Sequence, residues 1–437
     1  MQYYEVQPAR SVSGRVRVPG DKSISHRTLM LGGIAEGRTE VTGFLASADC
    51  LATLEAFRAM GVTVDRHAET SLTVHGRGLH GLTAPAKVLD MGNAGTAIRL
   101  SMGLLAGQRF ESVLTGDESL RSRPMERVAK PLRQMGADIL TTDGKPPVTV
   151  RPVGSLHGID YALPVASAQV KSAILLAGLY AEGITAVTEP APTRDHTERM
   201  LRGFGVHIET DGPRVRLKGR QTLHGARIDV PGDISSAAFF LVAGSIAGSG
   251  EYIVENVGVN PTRTGVIDIL RLMGADITVV PRATQGGEPV ADLHVRRAEL
   301  RGIAVPESLV PLAIDELPVL FIAAAAARGE TVFTGAAELR VKESDRLAVM
   351  AEGLTRLGVP NELAPDGIRI EGGAGSARRL TGGEIDSHGD HRIAMSFTVA
   401  SLLAQDAIRI RATQNVATSF PGFVATARAC GLQVQEK

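Results

Sequence analysis

The sequence is poor in residues that would indicate several familiar classes of protein. It has no tryptophan and only 4% aromatic residues. Its two cysteines, Cys50 and Cys430, stand in apolar helix-like contexts, which favours buried thiols over a disulfide framework. Lysine and arginine together number 47, as do aspartate and glutamate, so no net charge draws the chain to nucleic acid or a membrane. Any anion site must therefore come from a local cluster of cations.

Long apolar segments are missing as well. The longest apolar run, residues 317–327, contains Pro318 and is too short to span a bilayer. The N-terminus, Met-Gln-Tyr-Tyr-Glu-Val, lacks the basic and then apolar stretch of a secretion signal. We therefore expect a cytoplasmic protein, and a length of 437 residues predicts two or three domains.

What the chain does contain is an internal repeat. A glycine closes an amphipathic helical segment six times, at Gly61, Gly136, Gly205, Gly274, Gly358 and Gly431. Each lies about forty residues after a polar helix start, near Gly20, Gly92, Ser167, Gly232, Asp315 and Gly389. The glycine suits the left-handed residue that commonly ends a helix. Strands and helices alternate through six similar units, which predicts an α/β fold.

The tetrapeptide Val-Pro-Gly-Asp occurs twice, at residues 18–21 and 230–233. The two copies bracket three repeats and leave the other three in the C-terminal half. Two such junctions are consistent with a discontinuous domain whose linkers form a hinge. They are equally consistent with two ordinary strand-to-helix turns.

The helix starts differ in the side chains that they carry. The first places Lys22 and Ser23 at the start of a helix and Arg27 one turn later, a combination that suits phosphate or carboxylate. It is not a nucleotide P-loop, because Asp21 stands where Gly-Lys would be required. The fourth start keeps the turn but has Ile234 in place of the lysine and is nearly bare of polar ligands. The contrast favours a functional role for Lys22.

The second and third starts offer backbone and hydroxyl groups. Residues 91–97 allow a ligand to approach the backbone at Gly95, or form a tight packing turn. Ser167 is a simple helix N-cap, an anion ligand, or both.

Arginines are concentrated in three further stretches. Residues 120–125 hold Arg121 and Arg123, with Pro124 expected at the first position of a helix. Residues 340–346 hold three cations and two acids, which usually indicates a solvated helix face. Arginine in such clusters suits two-pronged binding of carboxylate or phosphate. The stretch 388–392 opens the sixth helix with two histidines and Asp390, and a metal site there is disfavoured because these side chains are crowded.

Acids that could move protons are fewer. Asp315 and Glu316 begin the fifth helix against an apolar run, and Glu343 lies between cations. Asp315 is equally well explained as a helix-start cap. A general acid or base needs a shifted pKa and reach to the substrate, so the sequence makes these carboxylates candidates for that role.

Six motifs resemble those of the 5-enolpyruvylshikimate-3-phosphate synthase family and occur in that family's order. The resemblance extends over essentially the whole chain. They are Gly-Asp-Lys-Ser-Ile-Ser-His-Arg, Gly-Asn-Ala-Gly-Thr-Ala-Ile-Arg, Arg-Pro-Met, Ala-Ser-Ala-Gln-Val-Lys-Ser-Ala, Arg-Val-Lys-Glu-Ser-Asp-Arg and Asp-His-Arg-Ile-Ala-Met. The resemblance implies a two-domain inside-out α/β barrel of six βαβαββ repeats, three in each domain. Domain 1 would comprise residues 1–20 and 233–437, and domain 2 residues 21–232, with hinge crossovers near 18–21 and 230–233 and closure over the substrates.

The same resemblance implies a reaction. The enolpyruvyl group of phosphoenolpyruvate would move to the 5-hydroxyl of shikimate 3-phosphate with release of phosphate, a step of the shikimate pathway towards chorismate and the aromatic amino acids. It implies no metal and no organic cofactor. We expect a monomer with these two small-molecule substrates and no nucleic-acid or membrane partner.

The resemblance also assigns residues to roles. Those assigned to phosphoenolpyruvate are Lys22, Gly95, Arg123, Gln169, Arg346, His391 and Arg392. Those assigned to shikimate 3-phosphate are Lys22, Ser23, Arg27, Ser167, Ala168, Gln169, Arg194, Asp315 and Lys342. Glu343 would transfer the proton at the methylene carbon and Asp315 the proton at the hydroxyl, with help from Lys22.

Three positions depart from the family's usual pattern. Ala168 replaces a second serine, Leu100 stands where proline is common, and Thr418 lies near the place of a lysine. Together with residues 193–199, these departures resemble the second sequence class of the family, whose members often tolerate the inhibitor glyphosate. Gly95 is the residue expected of sensitive members, so the sequence leaves the response open and weakly favours sensitivity.

Two other functions fit the same scaffold. The related enolpyruvyl transferase that acts on UDP-N-acetylglucosamine typically carries a reactive cysteine in a flexible loop, and residues 115–123 contain none. A non-catalytic polyanion-binding module would need the cations but not Glu343 or Asp315, whose presence argues mildly against it.

Overall fold

The computed structural model describes residues 2–373 and 380–437. Contacts within the chain divide it into two compact units. Unit 1 comprises Met1–Pro19, Pro231–Thr284 and Pro289–Lys437, and unit 2 comprises Gly20–Val230 and Gln285–Glu288. Both main boundaries fall inside the Val-Pro-Gly-Asp segments. In the described ranges, no helix combines the length and the apolar character that crossing a membrane requires.

The helices and strands alternate along the chain. The α-helices of the described ranges are α1 (Lys22–Ile34), α2 (Ala48–Ala59), α3 (Gly95–Leu105), α4 (Glu118–Ser122), α5 (Glu126–Gln134), α6 (Ala168–Gly178), α7 (His196–Gly203), α8 (Ile234–Ile246), α9 (Gly265–Leu272), α10 (Leu317–Ala326), α11 (Arg346–Arg356), α12 (His391–Ala400) and α13 (Phe423–Ala429). The strands are β1 (Tyr3–Gln7), β2 (Gly14–Arg17), β3 (Arg38–Thr42), β4 (Thr63–Ala68), β5 (Ser71–His75), β6 (Leu89–Asp90), β7 (Ser112–Thr115), β8 (Asp138–Thr142), β9 (Lys145–Arg151), β10 (Asp160–Ala162), β11 (Ile184–Thr188), β12 (Ile208–Asp211), β13 (Arg214–Lys218), β14 (Arg227–Asp229), β15 (Glu251–Gly258), β16 (Asp276–Pro281), β17 (Val290–Arg296), β18 (Glu330–Phe333), β19 (Asn361–Ala364), β20 (Gly367–Glu371), β21 (Gly383–Asp386), β22 (Ile408–Arg411) and β23 (Gln433–Glu436).

Each unit encloses three helices that are buried on almost every side. In unit 1, α8 buries every residue from Ile234 to Ser245, and α10 buries every residue from Leu317 to Ala325. A helix that is apolar all round is stable only when other elements surround it. The set in unit 1 is α8, α10 and α12, and the set in unit 2 is α1, α3 and α6. The polar groups of these helices are therefore concentrated at their ends.

The sheets repeat one strand order. Five sheets begin with a parallel pair and continue with two antiparallel neighbours, in the orders β14-β3-β5-β4, β6-β7-β9-β8, β10-β11-β13-β12, β2-β15-β17-β16 and β21-β22-β1-β23. The sixth is β18-β20-β19, and isolated parallel bridges from Arg301 and Ala304 take the place of its edge strand among the described residues. Together with their helices, these sheets form the six predicted βαβαββ repeats, three in each unit.

Strands from distant parts of the chain complete three of the sheets. β1 lies between β22 and β23, and β2 pairs with β15. β14 pairs with β3. The chain enters unit 2 at Gly20 and leaves it at Val230, and both residues lie against Gly43. A Cβ on Gly20 would come within 1.9 Å of the Gly43 carbonyl oxygen and 3.2 Å of the Val230 side chain, an approach that glycine alone permits.

The six closing glycines have the predicted left-handed backbone. Helices α2, α5, α7, α9, α11 and α13 each end two residues before their glycine. The φ angles are 88° at Gly61, 93° at Gly136, 86° at Gly205, 98° at Gly274, 80° at Gly358 and 107° at Gly431. This is the position at which a left-handed residue commonly ends a helix, so the prediction is confirmed.

Two local predictions are wrong. Pro124 is not the first residue of a helix, because α5 begins at Glu126 with Met125 as its N-cap, and Arg123 is instead the C-cap of the short helix α4. Residues 340–346 do not form a helix face. Ala337–Val341 is a 3-10 helix, the chain is extended at Lys342, and α11 begins only at Arg346.

The end of α7 offers a matched pair of substitutions. Gly205→Ala should destabilise the protein by about 1–2 kcal/mol, because alanine resists the left-handed conformation. A Cβ there meets only the His224 ring at 3.4 Å, so crowding is not the cause. Gly203→Ala, inside the helix with nothing within 4 Å of the added Cβ, should stabilise it by about 0.5–1 kcal/mol. Urea unfolding measures both, and equal midpoints for the two variants would contradict this account.

Candidate functional site

The start of α1 brings three predicted residues together. Asp21 caps the helix by accepting a hydrogen bond from the Ile24 N–H at 2.9 Å. Lys22 forms an ion pair with the buried carboxylate of Asp49 in the first turn of α2. Ser23, next to Lys22 on the helix, accepts a hydrogen bond through its carbonyl oxygen from Arg27 Nη1 at 3.0 Å. The first turn therefore presents a cation, a hydroxyl and backbone N–H groups in one place.

Arg27 is buried with uncharged partners. Its Nε donates to Thr197 Oγ1 at 2.7 Å and its Nη2 to Ser172 Oγ at 2.9 Å. Burial lowers the pKa of Arg27 to about 10, which still leaves it protonated at neutral pH. A buried guanidinium held by hydroxyls rather than a carboxylate retains positive charge that an anion can use.

Two further guanidinium groups, those of Arg123 and Arg99, lie beside the start of α3. Arg123 donates to Asn93 Oδ1 at 2.6 Å and to Ser119 Oγ at 3.0 Å, and Arg99 donates to Gln169 Oε1 at 2.7 Å. A Cβ on Gly95 would lie 3.1 Å from Arg123 Nη1 and 3.2 Å from Arg99 Nη1. Gly95 thus permits both cations to approach the first turn of α3.

The start of α6 contributes hydrogen-bonding groups. Ser167 is the N-cap, and its hydroxyl accepts from the Val170 N–H at 3.4 Å, so the capping role is present. Ala168 is the first helical residue and adds no side-chain ligand. Gln169 donates to Thr96 Oγ1 at 3.0 Å while it accepts from Arg99, which fixes its amide. Arg194 lies half-buried in the segment between β11 and α7.

His26 lies inside unit 2 on the same helix as Lys22 and Arg27. Its Nδ1 is 2.8 Å from Thr53 Oγ1, and its buried Nε2 has no hydrogen-bond partner among the described residues. Burial, with Lys22 and Arg27 nearby, lowers the pKa of His26 to about 3, so the ring is neutral at physiological pH.

The two cysteines are buried, as predicted, and unpaired with each other. Burial raises the pKa of Cys50 to about 12 and also raises the pKa of Cys430. Neither environment favours a reactive thiolate.

Arg346 is the centre of the candidate site in unit 1. Its side chain is 1% exposed. Its Nε donates to Asp390 Oδ2 at 2.8 Å, its Nη2 to Glu343 Oε2 at 2.6 Å and its Nη1 to Asp315 Oδ1 at 3.2 Å. Burial opposes the charged form, but Asp390, Glu343 and Asp315 together raise the pKa of Arg346 above its usual range. One guanidinium thus holds both predicted acid–base residues.

Asp315 is not a helix cap. The N-cap of α10 is Glu316, without a side-chain capping bond, so the structural alternative for Asp315 is wrong. Asp315 Oδ1 is 3.6 Å from Lys342 Nζ, and its carbonyl oxygen accepts from Arg392 Nη1 at 2.9 Å. Asp315 therefore contacts three of the cations that the resemblance assigns to substrate binding, namely Arg346, Lys342 and Arg392.

The fourth helix start is not bare, contrary to expectation. Asp233 caps α8 by accepting from the Ser235 N–H at 2.8 Å, and the buried Arg263 donates to Ser235 Oγ at 2.7 Å. Glu316 accepts from the same hydroxyl and lies 3.8 Å from both Arg263 and Arg392. In this buried network Arg263 supplies the cation that the fourth helix start lacks. Arg263 lies thirty residues after Asp233 and belongs to none of the sequence motifs.

The sixth helix start is capped by Asp390. Asp390 caps α12 through the Arg392 N–H at 2.9 Å and holds Arg346, while His391 is the buried first residue of the helix. His388 is exposed with a φ of 51°. In the ranges that the structure describes, no group of three or more potential ligands is arranged around a metal position.

The sequence did not predict a role for several residues that lie at these helix starts. Asp49 pairs with Lys22, Asn93 holds Arg123, and Arg99 orients Gln169. Arg99 could have been found, because it lies one turn after Gly95 on an otherwise apolar helix. The other two depend on long-range pairing that spacing does not reveal.

Comparison with known proteins identifies the family. The sequence model described as EPSP synthase (3-phosphoshikimate 1-carboxyvinyltransferase) matches residues 6–426. The chain belongs to the EPSP synthase family. A 3-phosphoshikimate 1-carboxyvinyltransferase of Alkalilimnicola ehrlichii is 62% identical over 430 residues, covering 98% of this chain and 96% of that protein. The corresponding protein of Methylococcus capsulatus is 60% identical and covers 98% and 97%.

A solved structure agrees with this assignment to the EPSP synthase family. The EPSP synthase of Acinetobacter baumannii superposes with a TM-score of 0.89 at 56% identity and covers 100% of both chains. The predicted fold class, a two-domain inside-out α/β barrel, is therefore confirmed.

The buried histidine of this EPSP synthase family member predicts a pH dependence of stability. His26 binds a proton in the unfolded chain below about pH 6.5 but not in the folded one until about pH 3. Its contribution to the free energy of unfolding is therefore complete above pH 6.5 and is lost as the pH falls, by at most about 1.4 kcal/mol per pH unit. His26→Gln should remove this part of the slope, as measured by urea unfolding across the window.

His67→Gln is the matched control for His26→Gln. The His67 ring is exposed, and its Nε2 lies 2.9 Å from Thr73 Oγ1, so it makes the same kind of bond at the surface. Its replacement should leave the slope unchanged. An identical slope in wild type and His26→Gln would show that His26 is not held neutral.

Proposed function

We propose that this chain transfers the enolpyruvyl group of phosphoenolpyruvate to the 5-hydroxyl of shikimate 3-phosphate and releases phosphate. It thereby acts as a 3-phosphoshikimate 1-carboxyvinyltransferase in aromatic amino acid biosynthesis. The observation that carries the proposal is the arrangement at Arg346, where one buried guanidinium holds Glu343 at 2.6 Å and Asp315 at 3.2 Å. In a member of the EPSP synthase family, these carboxylates supply the two acid–base groups that the reaction needs.

Both substrates are polyanions, and unit 2 is built to bind anions. The starts of α1, α3 and α6 present N–H groups at the positive ends of helix dipoles. Lys22, Arg27 and Arg123 lie at these starts, together with Arg99. Fixed cations and helix ends offset the repulsion between two bound anions, and they do so without rearranging during the reaction.

The substrate contacts are part of the proposal. We assign phosphoenolpyruvate to Lys22, Gly95, Arg123, Gln169, Arg346, His391 and Arg392. We assign shikimate 3-phosphate to Lys22, Ser23, Arg27, Ser167, Ala168, Gln169, Arg194, Asp315 and Lys342. Arginines with fixed planes suit the two-pronged carboxylate and phosphate groups of these ligands. Ala168 contributes its backbone N–H in the first turn of α6, since its side chain cannot hydrogen-bond.

The chemistry requires proton transfers at two different atoms. When the 5-oxygen bonds to C2 of the enolpyruvyl group, the hydroxyl loses a proton and the methylene carbon gains one. When the C2–O bond to phosphate breaks, the methyl group loses a proton and the double bond is restored. We assign the hydroxyl proton to Asp315 and the carbon proton to Glu343, with Lys22 assisting.

Three further features belong to the same proposal. The protein acts as a monomer in the cytoplasm. Residues 18–21 and 230–233 form a hinge between domain 1, residues 1–20 and 233–437, and domain 2, residues 21–232. The strand-to-helix turns at both places are capped by aspartates, Asp21 and Asp233, which explains why the tetrapeptide recurs.

Phosphate release with different acceptors tests the reaction. We expect phosphate to be released from phosphoenolpyruvate in the presence of shikimate 3-phosphate and not in the presence of UDP-N-acetylglucosamine. A mass increase of the shikimate product identifies the transferred group. Release only with the nucleotide sugar would contradict the proposal, and binding of both anions without release would indicate a non-catalytic module.

Substitution of the two carboxylates tests their roles. Glu343→Gln and Asp315→Asn keep the shape of the side chain but remove proton transfer, so each should lower kcat by about 100-fold or more. Steady-state kinetics with both substrates provide the measurement. Glu352→Gln is the matched control, because Glu352 lies exposed on α11 and pairs only with Arg356 at 2.8 Å among the described contacts. Near wild-type turnover in both Glu343→Gln and Asp315→Asn would overturn the assignment.

A further inference from the structure

Beneath the start of α6, unit 2 contains a buried ionic cluster that the proposed reaction does not use. Lys171 Nζ lies 2.9 Å from Glu189 Oε2, 2.7 Å from Glu198 Oε1 and 3.5 Å from the Thr193 carbonyl oxygen. The side chains of Lys171, Glu189 and Glu198 are 1%, 7% and 3% exposed. A lysine on the buried face of an apolar helix requires such partners, because an isolated buried ammonium is very unfavourable.

The cluster joins three separate parts of the chain. Lys171 belongs to α6, Glu189 directly follows β11, and Glu198 belongs to α7. Thr193 donates its hydroxyl to Glu189 while its carbonyl oxygen faces Lys171. The segment between Glu189 and α7, which carries Arg194, is therefore held at both ends and at the residue before Arg194.

One residue adjacent to the cluster on each of the helices α6 and α7 links the cluster to Arg27. Ser172 follows Lys171, Thr197 precedes Glu198, and their hydroxyls are 2.7 Å apart. Arg27 donates to both of these hydroxyls. Lys171–Glu198 and Ser172–Thr197 thus form two adjacent cross-links between α6 and α7, and the second one fixes the guanidinium of Arg27.

We propose that Lys171 is a positioning residue for shikimate 3-phosphate. The inference rests on the proposed function, which assigns Arg27, Ser167 and Arg194 to that substrate. Gln169, which is assigned to both substrates, is held instead by Arg99 and Thr96. The Lys171 side chain makes none of the described hydrogen bonds to Arg27, Ser167 or Arg194, and its backbone N–H donates to the Ser167 carbonyl oxygen at 3.1 Å as part of the helix. Its side-chain contacts nevertheless fix the helix turn that carries Ser167, the segment that carries Arg194 and the hydroxyl partners of Arg27.

Two electrostatic observations support a cation at this position. Burial opposes the charged form, but Glu198 and Glu189 raise the pKa of Lys171, so it stays protonated. The second oxygen of Glu198 is buried without a hydrogen-bond partner among the described residues, so Glu198 depends on Lys171 for compensation. Removal of the ammonium would leave two buried carboxylates without their cation, and one of them, Glu198, already acts electrostatically on Arg27. Glu198 would then compete with the substrate phosphate for Arg27.

The test compares the two substrates of one reaction. Lys171→Met should raise KM for shikimate 3-phosphate by about tenfold or more, because small displacements of a binding group are costly. KM for phosphoenolpyruvate should change less than about twofold. Lys171→Arg retains a cation for both carboxylates and should restore most of the lost affinity.

A matched control lies at the opposite end of the same helix. The buried Gln108 donates to Tyr180 Oη at 2.9 Å just beyond the end of α6. Gln108→Leu removes a buried hydrogen bond of the same helix region and should lower the melting temperature while leaving both KM values unchanged. A purely structural role for Lys171 predicts that Lys171→Met behaves in the same way.

A milder variant keeps the proposal testable if Lys171→Met does not fold. Thr193→Val removes only the hydroxyl bond to Glu189 beside Arg194, and should raise KM for shikimate 3-phosphate by about threefold to tenfold without a matching change for phosphoenolpyruvate. Equal rises in both KM values, or none in a folded variant, would overturn the positioning role. Wild-type protein that releases no phosphate with shikimate 3-phosphate would instead contradict the proposed function, so the two failures are distinguishable.

Discussion

The enclosure of three helices within each unit determines where polar groups can lie. Helices such as α8 and α10 bury nearly every side chain, so their walls cannot carry charge without a buried partner. Their N-terminal N–H groups still need acceptors, because a helix leaves its first donors without intrahelical partners. Aspartate and serine caps satisfy some of these donors. The remaining polarity is what a bound anion can use, so the location of the candidate site follows from the packing of the core.

The two units manage buried arginine in opposite ways. In unit 2, the hydrogen-bond partners of Arg27 are hydroxyl and carbonyl oxygens, while the carboxylates of Glu198, Asp21 and Glu288 act on it electrostatically. In unit 1, Arg346 is surrounded by three carboxylates and serves chiefly to hold them. The same type of side chain therefore attracts anions in one unit and organises acids in the other. A charge count along the sequence does not separate the two cases, because the difference lies in the partners.

The fold could be predicted well from the sequence because its signals are local. A left-handed glycine such as Gly205 ends its helix through its own backbone, and it recurs at a constant interval. The anion-binding groups at the start of α1 could also be predicted, since Lys22, Ser23 and Arg27 lie within six residues. Hydrogen-bond and ion-pair partners that come from distant segments could not be predicted. Arg263 reaches the start of α8 and Lys171 binds two distant glutamates, and neither pairing has a spacing that sequence alone reveals. The family resemblance supplied roles for the site residues, but not the residues that hold them in place.

The exchange of strands at the start of the chain has a consequence for synthesis. β1 and β2 are made before the other described strands, but their partners β15, β22 and β23 are made only after the whole of Gly20–Val230. The two ends of the main segment of unit 2, Gly20 and Val230, both lie against Gly43. Apart from Gln285–Glu288, unit 2 is one continuous stretch of chain that can assemble while the rest is still being translated. β2 therefore stays unpaired until β15 is made, and β1 until β22 and β23 are made, so that their strand edges remain exposed during synthesis.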